Sequence, residues 1–160
     1  MDISNIPPEP GSVIAIAAMD EGRVIGLQGG LPWKIPEDMK RFAALTKGHS
    51  VLMGRKTYES LPSKARPLPD RINVVVSRSP NRAYGAGVLS CTDPLAFASD
   101  FQLRGEGLLW VIGGAEIYSA TLPSWNYLYL TKVRGQHPGD AFFPQFEEHF
   151  ETLTIEKHPN

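Results

Sequence analysis

Asp38 stands at the start of a segment whose apolar residues recur at helical spacing. A glycine-rich stretch and Leu31-Pro32-Trp33 lie a few residues before it. In a helix, positions 38 and 42 share a face, so the carboxylate is in line with aromatic Phe42. Such an acid is either a first-turn charge that favours the helix dipole or a buried acid with a partner. The adjoining loop and large aromatic weigh toward the second, an acid available for binding or proton work. Gly113-Gly114 is a second candidate, between an apolar run and a helical segment. Small residues let a ligand approach, and free N–H groups at a helix start point at anions. The pair does not make a G-x-G-x-x-G pattern, so the ordinary dinucleotide fingerprint is not supported. Met53-Gly54-Arg55-Lys56-Thr57 is a similar junction with two cations added, and Ser77-Arg78 ends another apolar run. Each alone is more often a turn or a solvated charge. Together they favour a phosphorylated dinucleotide.

These residues need elements to hold them. Ser12–Met19 is a nearly continuous apolar run, which suits a strand covered on both faces. Asp20–Gly30 is glycine-rich and aperiodic, and is expected to be loop. Pro36 suits a first helical turn. From Glu37 onward, Met39, Phe42, Ala43 and Leu45 make an apolar face, with Glu37 and Arg41 paired on the other side. Ser50–Gly54 predicts a strand and Arg55–Leu61 a short helix. Residues 62–71, with Pro62, Pro67 and Pro69, predict a loop. Ile72–Ser77 predicts a buried strand and Gly87–Ser90 a short one. Asp93 predicts a cap for a helix opened by Pro94 and running to about Leu103. Leu108–Ile112 predicts a strand, Ala115–Leu122 a helix stopped by Pro123, Tyr127–Arg134 a strand and Phe150–Glu156 one more. Strands alternating with helices imply an α/β domain with a mostly parallel sheet. Right-handed crossovers then bring the strand carboxyl ends to one edge, where ligands bind.

The chain has 160 residues, which suits one domain. Its formal net charge of −1 hides an asymmetry. Residues 55–82 hold seven cations and two anions, and the remainder nine cations and fifteen anions. A local positive field on an acidic chain suits a small anionic ligand better than a nucleic acid, which meets a broad basic face. Cys91 is the only cysteine, so no intrachain disulfide can form; this fits a reducing cytosol. No apolar run is long enough to span a membrane, and the first residues do not read as a secretory signal. Residues 1–11, with Pro7, Pro8, Pro10 and Gly11, are expected to form a mobile or surface-draped extension before a domain over 12–160. His49, His137, His149 and His158 are scattered without ligand spacing and read as surface residues, so no metal site is expected. Trp110 and Trp125 read as core or staple residues.

At this point the motifs carry a resemblance. VIAIAAMDEGRVIGLQGGLPWKIPEDMKRF resembles the opening of dihydrofolate reductases. VLMGRKTYESL, RPLPDRINVVVSR, LWVIGGAEIY, and YLYLTKV followed by GDAFFP resemble the family's later motifs, in the right order. The resemblance implies a single-domain, mostly parallel central sheet flanked by about four helices. It implies NADPH-dependent reduction of 7,8-dihydrofolate to tetrahydrofolate, with a hydride to pterin carbon 6 and a proton to nitrogen 5. It further implies a monomeric cytoplasmic enzyme that binds antifolates. By matching positions, the catalytic residues are Asp38, Trp33 and Thr131, the threonine bonding the acid. The pterin and benzoyl walls are Ile16, Met39, Phe42, Leu61 and Leu68. Arg71 takes the glutamate α-carboxylate, and Arg66 lies nearer the tail. The cofactor positions are Ala18, Val24, Ile25, Gly26, Leu27 and Gly30 toward the nicotinamide. Gly54, Arg55, Lys56, Thr57, Ser77 and Arg78 match the adenosine phosphates. Ile112, Gly113, Gly114, Ala115, Glu116, Ile117 and Tyr118 match the pyrophosphate and ribose. A cis peptide is implied at Gly113–Gly114, and 20–33 matches the loop that closes over the nicotinamide.

The chain departs from the family pattern in places. Residues 62–65 lengthen the loop before Arg66, and Ala115 stands where many members have a third glycine. The family's last antiparallel strand is expected to be missing after Phe150–Glu156. Two other readings stay open: a related NADPH-dependent pyrimidine reductase of flavin biosynthesis, and a folate- or NADPH-binding protein without useful catalysis.

Overall fold

The structure is a computed structural model that describes residues 8–26, 36–79, 84–85 and 87–150, apart from the side chains of 36–38. Its elements run β1 (Val13–Met19), β2 (Val24–Gly26), α1 (Pro36–Thr46), β3 (Ser50–Gly54), α2 (Arg55–Ser60), β4 (Ile72–Val76), β5 (Leu89–Cys91) and α3 (Pro94–Arg104). They continue with β6 (Leu109–Val111), α4 (Ala115–Thr121), β7 (Tyr127–Lys132) and β8 (Ala141–Phe142). Six strands form one sheet in the order β5-β4-β3-β6-β1-β7. Every pairing within it is parallel. β2 and β8 pair antiparallel in a separate two-stranded sheet.

The alternation of side chains sorts the core into two layers. Val13 and Ala15 of β1, Leu52 of β3, Val74 of β4, and Leu109 and Val111 of β6 pack with Ala98 of α3 and Ile117 and Tyr118 of α4. The intervening residues Ile14, Val51, Met53, Val75 and Trp110 pack with Tyr58 of α2, and Phe42 and Leu45 of α1 join them. This double cover is why the strands read as unbroken apolar runs. Ile14 and Leu52 are fully buried; burying such a side chain contributes about 1.5–3 kcal/mol.

Local chemistry sets the helix ends. The Asp93 carboxylate accepts the Ala96 N–H at 3.1 Å, Pro94 opens α3, and Gly105 closes it in the left-handed region at φ 68°. α4 ends at Thr121, and a 3-10 turn over Leu122–Ser124 carries Pro123. Trp125 follows, buried, and its indole N–H donates to Thr121 Oγ1 at 2.9 Å.

Some expectations are corrected. Within the expected loop 20–30, Val24–Gly26 is a strand, made so by pairing with distant β8. On α1, Phe42 and Leu45 pack inward, but Met39 and Ala43 are exposed, so the buried face is narrower than the four-residue stripe. His137 is not a detached surface residue: its ring meets buried Asp20. Residues 8–11 of the extension are fastened, with Gly11 N–H donating to Gly107 O at 2.6 Å and the Tyr127 hydroxyl to Glu9 Oε2 at 2.8 Å. Phe150 lies outside regular structure. The rest of the expected strand at 150–156, and residues 1–7, lie outside the described residues.

Candidate active site

Parallel pairing puts the carboxyl ends of all six strands on one edge. Along it stand Ser77-Arg78 after β4, Gly54 at the end of β3, Ile112–Gly114 after β6, Ala18 on β1 and Thr131 on β7. Ala18 and Thr131 are register partners.

The two glycine junctions are stitched together. Gly54 N–H donates to Gly113 O at 2.9 Å, and Ile112 N–H to Leu52 O at 2.9 Å. A Cβ on Gly54 would sit 3.1 Å from Ile117 Cγ1, so glycine there lets α4 close onto β3. Thr57 Oγ1 lies 3.5 Å from where a Gly114 Cβ would be, which brings the first turn of α2 to the same place. The Gly113–Gly114 peptide is cis. Neither helix start is capped by a side chain; the N-cap residues are Gly54 and Gly114. Arg55, Lys56 and Arg78 are exposed beside them, Arg55 leaning toward Glu59 at 3.6 Å. The buried Ser77 hydroxyl is engaged within its own turn, accepting Ser79 N–H at 3.1 Å. Uncapped helix starts and three exposed cations make a donor set for phosphate groups. Ala115 and Glu116 open α4, and Glu116 is exposed.

Tyr118 ties this edge to β1. Its hydroxyl donates to Ile16 O at 2.7 Å, and its ring meets Phe143 edge-on at 4.9 Å and Trp125 at 6.1 Å. Burial pushes its hydroxyl pKa far above the ordinary value. Its place in the molecule is a packed strut.

On the other face of the sheet, Ile16, Phe42, Leu61 and Leu68 join one apolar cluster with Tyr58 and Trp110. Met39, expected with them, is 61% exposed and stands outside the cluster. Arg71 closes this region at the end of α1. Its Nη1 donates to Thr46 Oγ1 at 3.1 Å, its Nε to Pro69 O at 2.9 Å, and the guanidinium lies over Phe42 at 5.9 Å. Burial pulls its pKa below the usual value, and the Asp70 carboxylate partly restores it. Three of its five N–H donors stay outside these two bonds, enough for a carboxylate. Arg66 donates to Glu59 O at 3.3 Å and lies over Tyr58 at 6.0 Å.

Asp38 is the third residue of α1, one turn before Phe42. Its side chain, and Trp33, Leu27 and Gly30, lie outside the described residues. Val24, Ile25 and Gly26 are buried on β2. Among the described residues, no group of three or more His, Cys, Asp or Glu could hold a metal. No helix there is long and apolar enough to cross a membrane. Burial and the nearby Asp93 raise the Cys91 thiol to about 11, unlike a reactive nucleophile.

Several positioning residues escaped the sequence reading. Asn73, 1% exposed, accepts Leu68 N–H at 2.9 Å and donates to Leu68 O and Arg71 O, which fixes the loop that presents Leu68 and Arg71. A lone amide within INVVV was the available signal. Arg23 staples the turn before β2, donating to Pro144 O at 2.6 Å and pairing with Glu147 at 2.7 Å. A Cβ on Gly139 would collide with the Val24 side chain and lie 2.8 Å from Gly26 O, so only glycine lets this connection lie against β2.

A parallel sheet covered on both faces, with a phosphate-type cradle at its carboxyl edge and an apolar, arginine-ended region beside it, defines an α/β enzyme of the nucleotide-binding class. Comparison with known proteins narrows the class. The family model described as "Dihydrofolate reductase" matches residues 12–160, and the chain belongs to that family. It is 42% identical over 135 residues to the dihydrofolate reductase of Bacillus subtilis (strain 168), covering 83% of this chain and 76% of that one. It is 40% identical over 137 residues to the Escherichia coli dihydrofolate reductase type A13, covering 86% and 80%. Among solved structures, the Enterococcus faecalis dihydrofolate reductase complexed with NADP(H) and RAB-propyl superposes with a TM-score of 0.78 at 32% identity, over 88% of this chain and 82% of that one.

Proposed function

We propose that this chain reduces 7,8-dihydrofolate to 5,6,7,8-tetrahydrofolate with NADPH. The observation that carries this reading is the pairing, around β1, of two stitched glycine junctions with an apolar cluster that ends at Arg71. The donor set fits the cofactor. Arg55, Lys56, Thr57 and Arg78 face its phosphates, with Ser77 shaping the turn. Gly113 to Ile117 form the pyrophosphate wall, where a side chain at Gly54 would meet Ile117, and Tyr118 braces that wall from the core. Ala18, Ile25 and Gly26 border the nicotinamide. When bound, NADPH supplies the hydride for pterin carbon 6.

The chain's own residues do the rest. The Asp38 carboxylate accepts the two adjacent N–H donors of the pterin's aminopyrimidine edge. It favours protonation of nitrogen 5 through a water rather than by contact. Thr131 holds that acid, and the 20–33 loop, with Trp33 at its active-site end, excludes water. Ile16, Phe42, Leu61 and Leu68 wall the ring system, with Met39 at its open side. Arg71 takes the α-carboxylate, a bidentate task that lysine does poorly. Arg66 stands toward the tail. Antifolates occupy the same region, and the working form is a cytoplasmic monomer.

The test is dihydrofolate-dependent loss of NADPH absorbance by the purified chain. A folded protein without such turnover refutes the reading. Asp38→Asn should retain NADPH binding, and its reduction rate should fall least at low pH, where substrate arrives already protonated. Equal loss of binding and turnover would remove Asp38 from this role.

A further inference from the structure

Asp20 is the one charged side chain among the described residues that is buried, at 2% exposure. The proposed reaction does not use it. It follows the last residue of β1, and its two carboxylate oxygens serve different segments. Oδ1 accepts Gly22 N–H at 2.9 Å and Val24 N–H at 2.8 Å, within the turn that leads into β2. Oδ2 accepts His137 N–H at 2.7 Å and faces His137 Nδ1 at 3.1 Å, in the connection between β7 and β8. An ionised carboxylate only accepts, so Nδ1 carries the proton in this contact. Burial pushes the carboxyl upward, yet the N–H donors of Val24, His137 and Gly22 together hold it below its ordinary value. Asp20 is therefore charged throughout the neutral range.

The backbone around it repeats the pattern. Glu21 N–H donates to Gly135 O at 3.1 Å and Val133 N–H to Met19 O at 2.8 Å. Asp140 N–H donates to Gly26 O at 3.0 Å. β2 is thus held at its start through Asp20 and at its end through Asp140. Gly139 against Val24 allows no slack between the two segments.

We infer that Asp20 is a positioning residue for hydride transfer: its carboxylate clasps Val24 and His137 together, which sets where Ile25 and Gly26 border the nicotinamide. This rests on the reading under Proposed function. Asp20→Asn separates the two halves of the clasp. The amide oxygen still serves the turn N–H groups, but the new NH2 opposes the His137 N–H, donor against donor. His137→Ala is milder, since it keeps the carboxylate and the backbone bond and removes only the ring.

The experiment has two arms. Titration of NADPH by quenching of tryptophan fluorescence needs no turnover. The Kd should weaken about five- to tenfold in Asp20→Asn and about two- to threefold in His137→Ala. Steady-state kinetics should show the KM for NADPH rising with kcat falling, while the KM for dihydrofolate stays unchanged, because, Ile16 and Thr131 apart, the substrate groups lie on α1 and 61–71. A role in folding alone would lower apparent kcat in proportion to folded protein and leave both KM values and the Kd at wild type. That result in both variants overturns the inference. If Asp20→Asn fails to fold, an unchanged Kd in His137→Ala overturns it instead. Absence of turnover in the wild type refutes the functional reading separately, and the titration still decides whether Asp20 positions the cofactor site.

Discussion

Gly113→Ala tests the junction where the proposed cofactor wall meets the core. Gly113 has φ +118°, a region that L side chains rarely adopt. A Cβ there would lie 3.3 Å from Tyr118 Cε2 and 3.4 Å from its Cζ and hydroxyl oxygen. The ring has little room to retreat. It is packed edge-on against Phe143 and Trp125, and its hydroxyl is anchored on Ile16 O. The backbone conformation costs about 1–2 kcal/mol for a non-glycine residue. Stretching or breaking the buried hydroxyl bond adds about 1–3 kcal/mol. The sum, roughly 2–5 kcal/mol, is a large share of the stability of a domain this size. At about 2–4 °C per kcal/mol, Tm should fall by roughly 4–20 °C. The assay is thermal denaturation of wild type, Gly113→Ala, Tyr118→Phe and the double variant. Tyr118→Phe removes the hydroxyl alone and should cost about 1–3 kcal/mol. The double variant should be more stable than the sum of the singles implies, because the crowding and the hydroxyl bond are one interaction. A Gly113→Ala protein that melts within about 2 °C of wild type, or strict additivity, refutes the packing argument.

Two further outcomes follow from other contacts. Arg71→Lys loses the planar fork and the Thr46 bond together, so the KM for dihydrofolate should rise by about 10–100-fold with the KM for NADPH unchanged; a parallel rise in both would remove Arg71 from the substrate side. Acid should loosen the segments around β2. The Arg23 hydrogen bond holds Glu147 below its usual range, and Asp20 is likewise depressed. Their stabilisation is fully present above the unfolded values of 4.5 and 3.8, and is lost as pH falls through the lower folded values. Urea midpoints followed from about pH 5 down to about pH 2 should decline less steeply in Asp20→Asn than in wild type. Identical slopes would show that Asp20 contributes nothing to acid sensitivity.

Much of the scaffold was legible because its signals are local. INVVV, SVLMG and SVIAIAAM announced strands buried on both faces, and Asp93-Pro94 announced the start of α3. The glycine junctions and the cations beside them were legible as residue types, and the order of motifs tied them to a family. Helical spacing overstates the buried stripe of α1, since periodicity gives a face but not how much of it another element covers: Phe42 meets the sheet, and Met39 does not.

The sequence by itself therefore determined which segments are strands and helices, that they alternate, and which chemistries lie at their ends. Those properties depend on neighbours within a turn or two of chain. The tertiary structure alone decided that Val24–Gly26 is a strand, since its partner β8 is supplied from far along the chain. It alone made Asp20 a buried hub for His137, 117 positions away, and turned Asn73 and Gly139 into the pieces that fix Arg71 and β2. A buried polar group takes its role from the donors that fill its lone pairs, and folding, not local pattern, brings those donors to it.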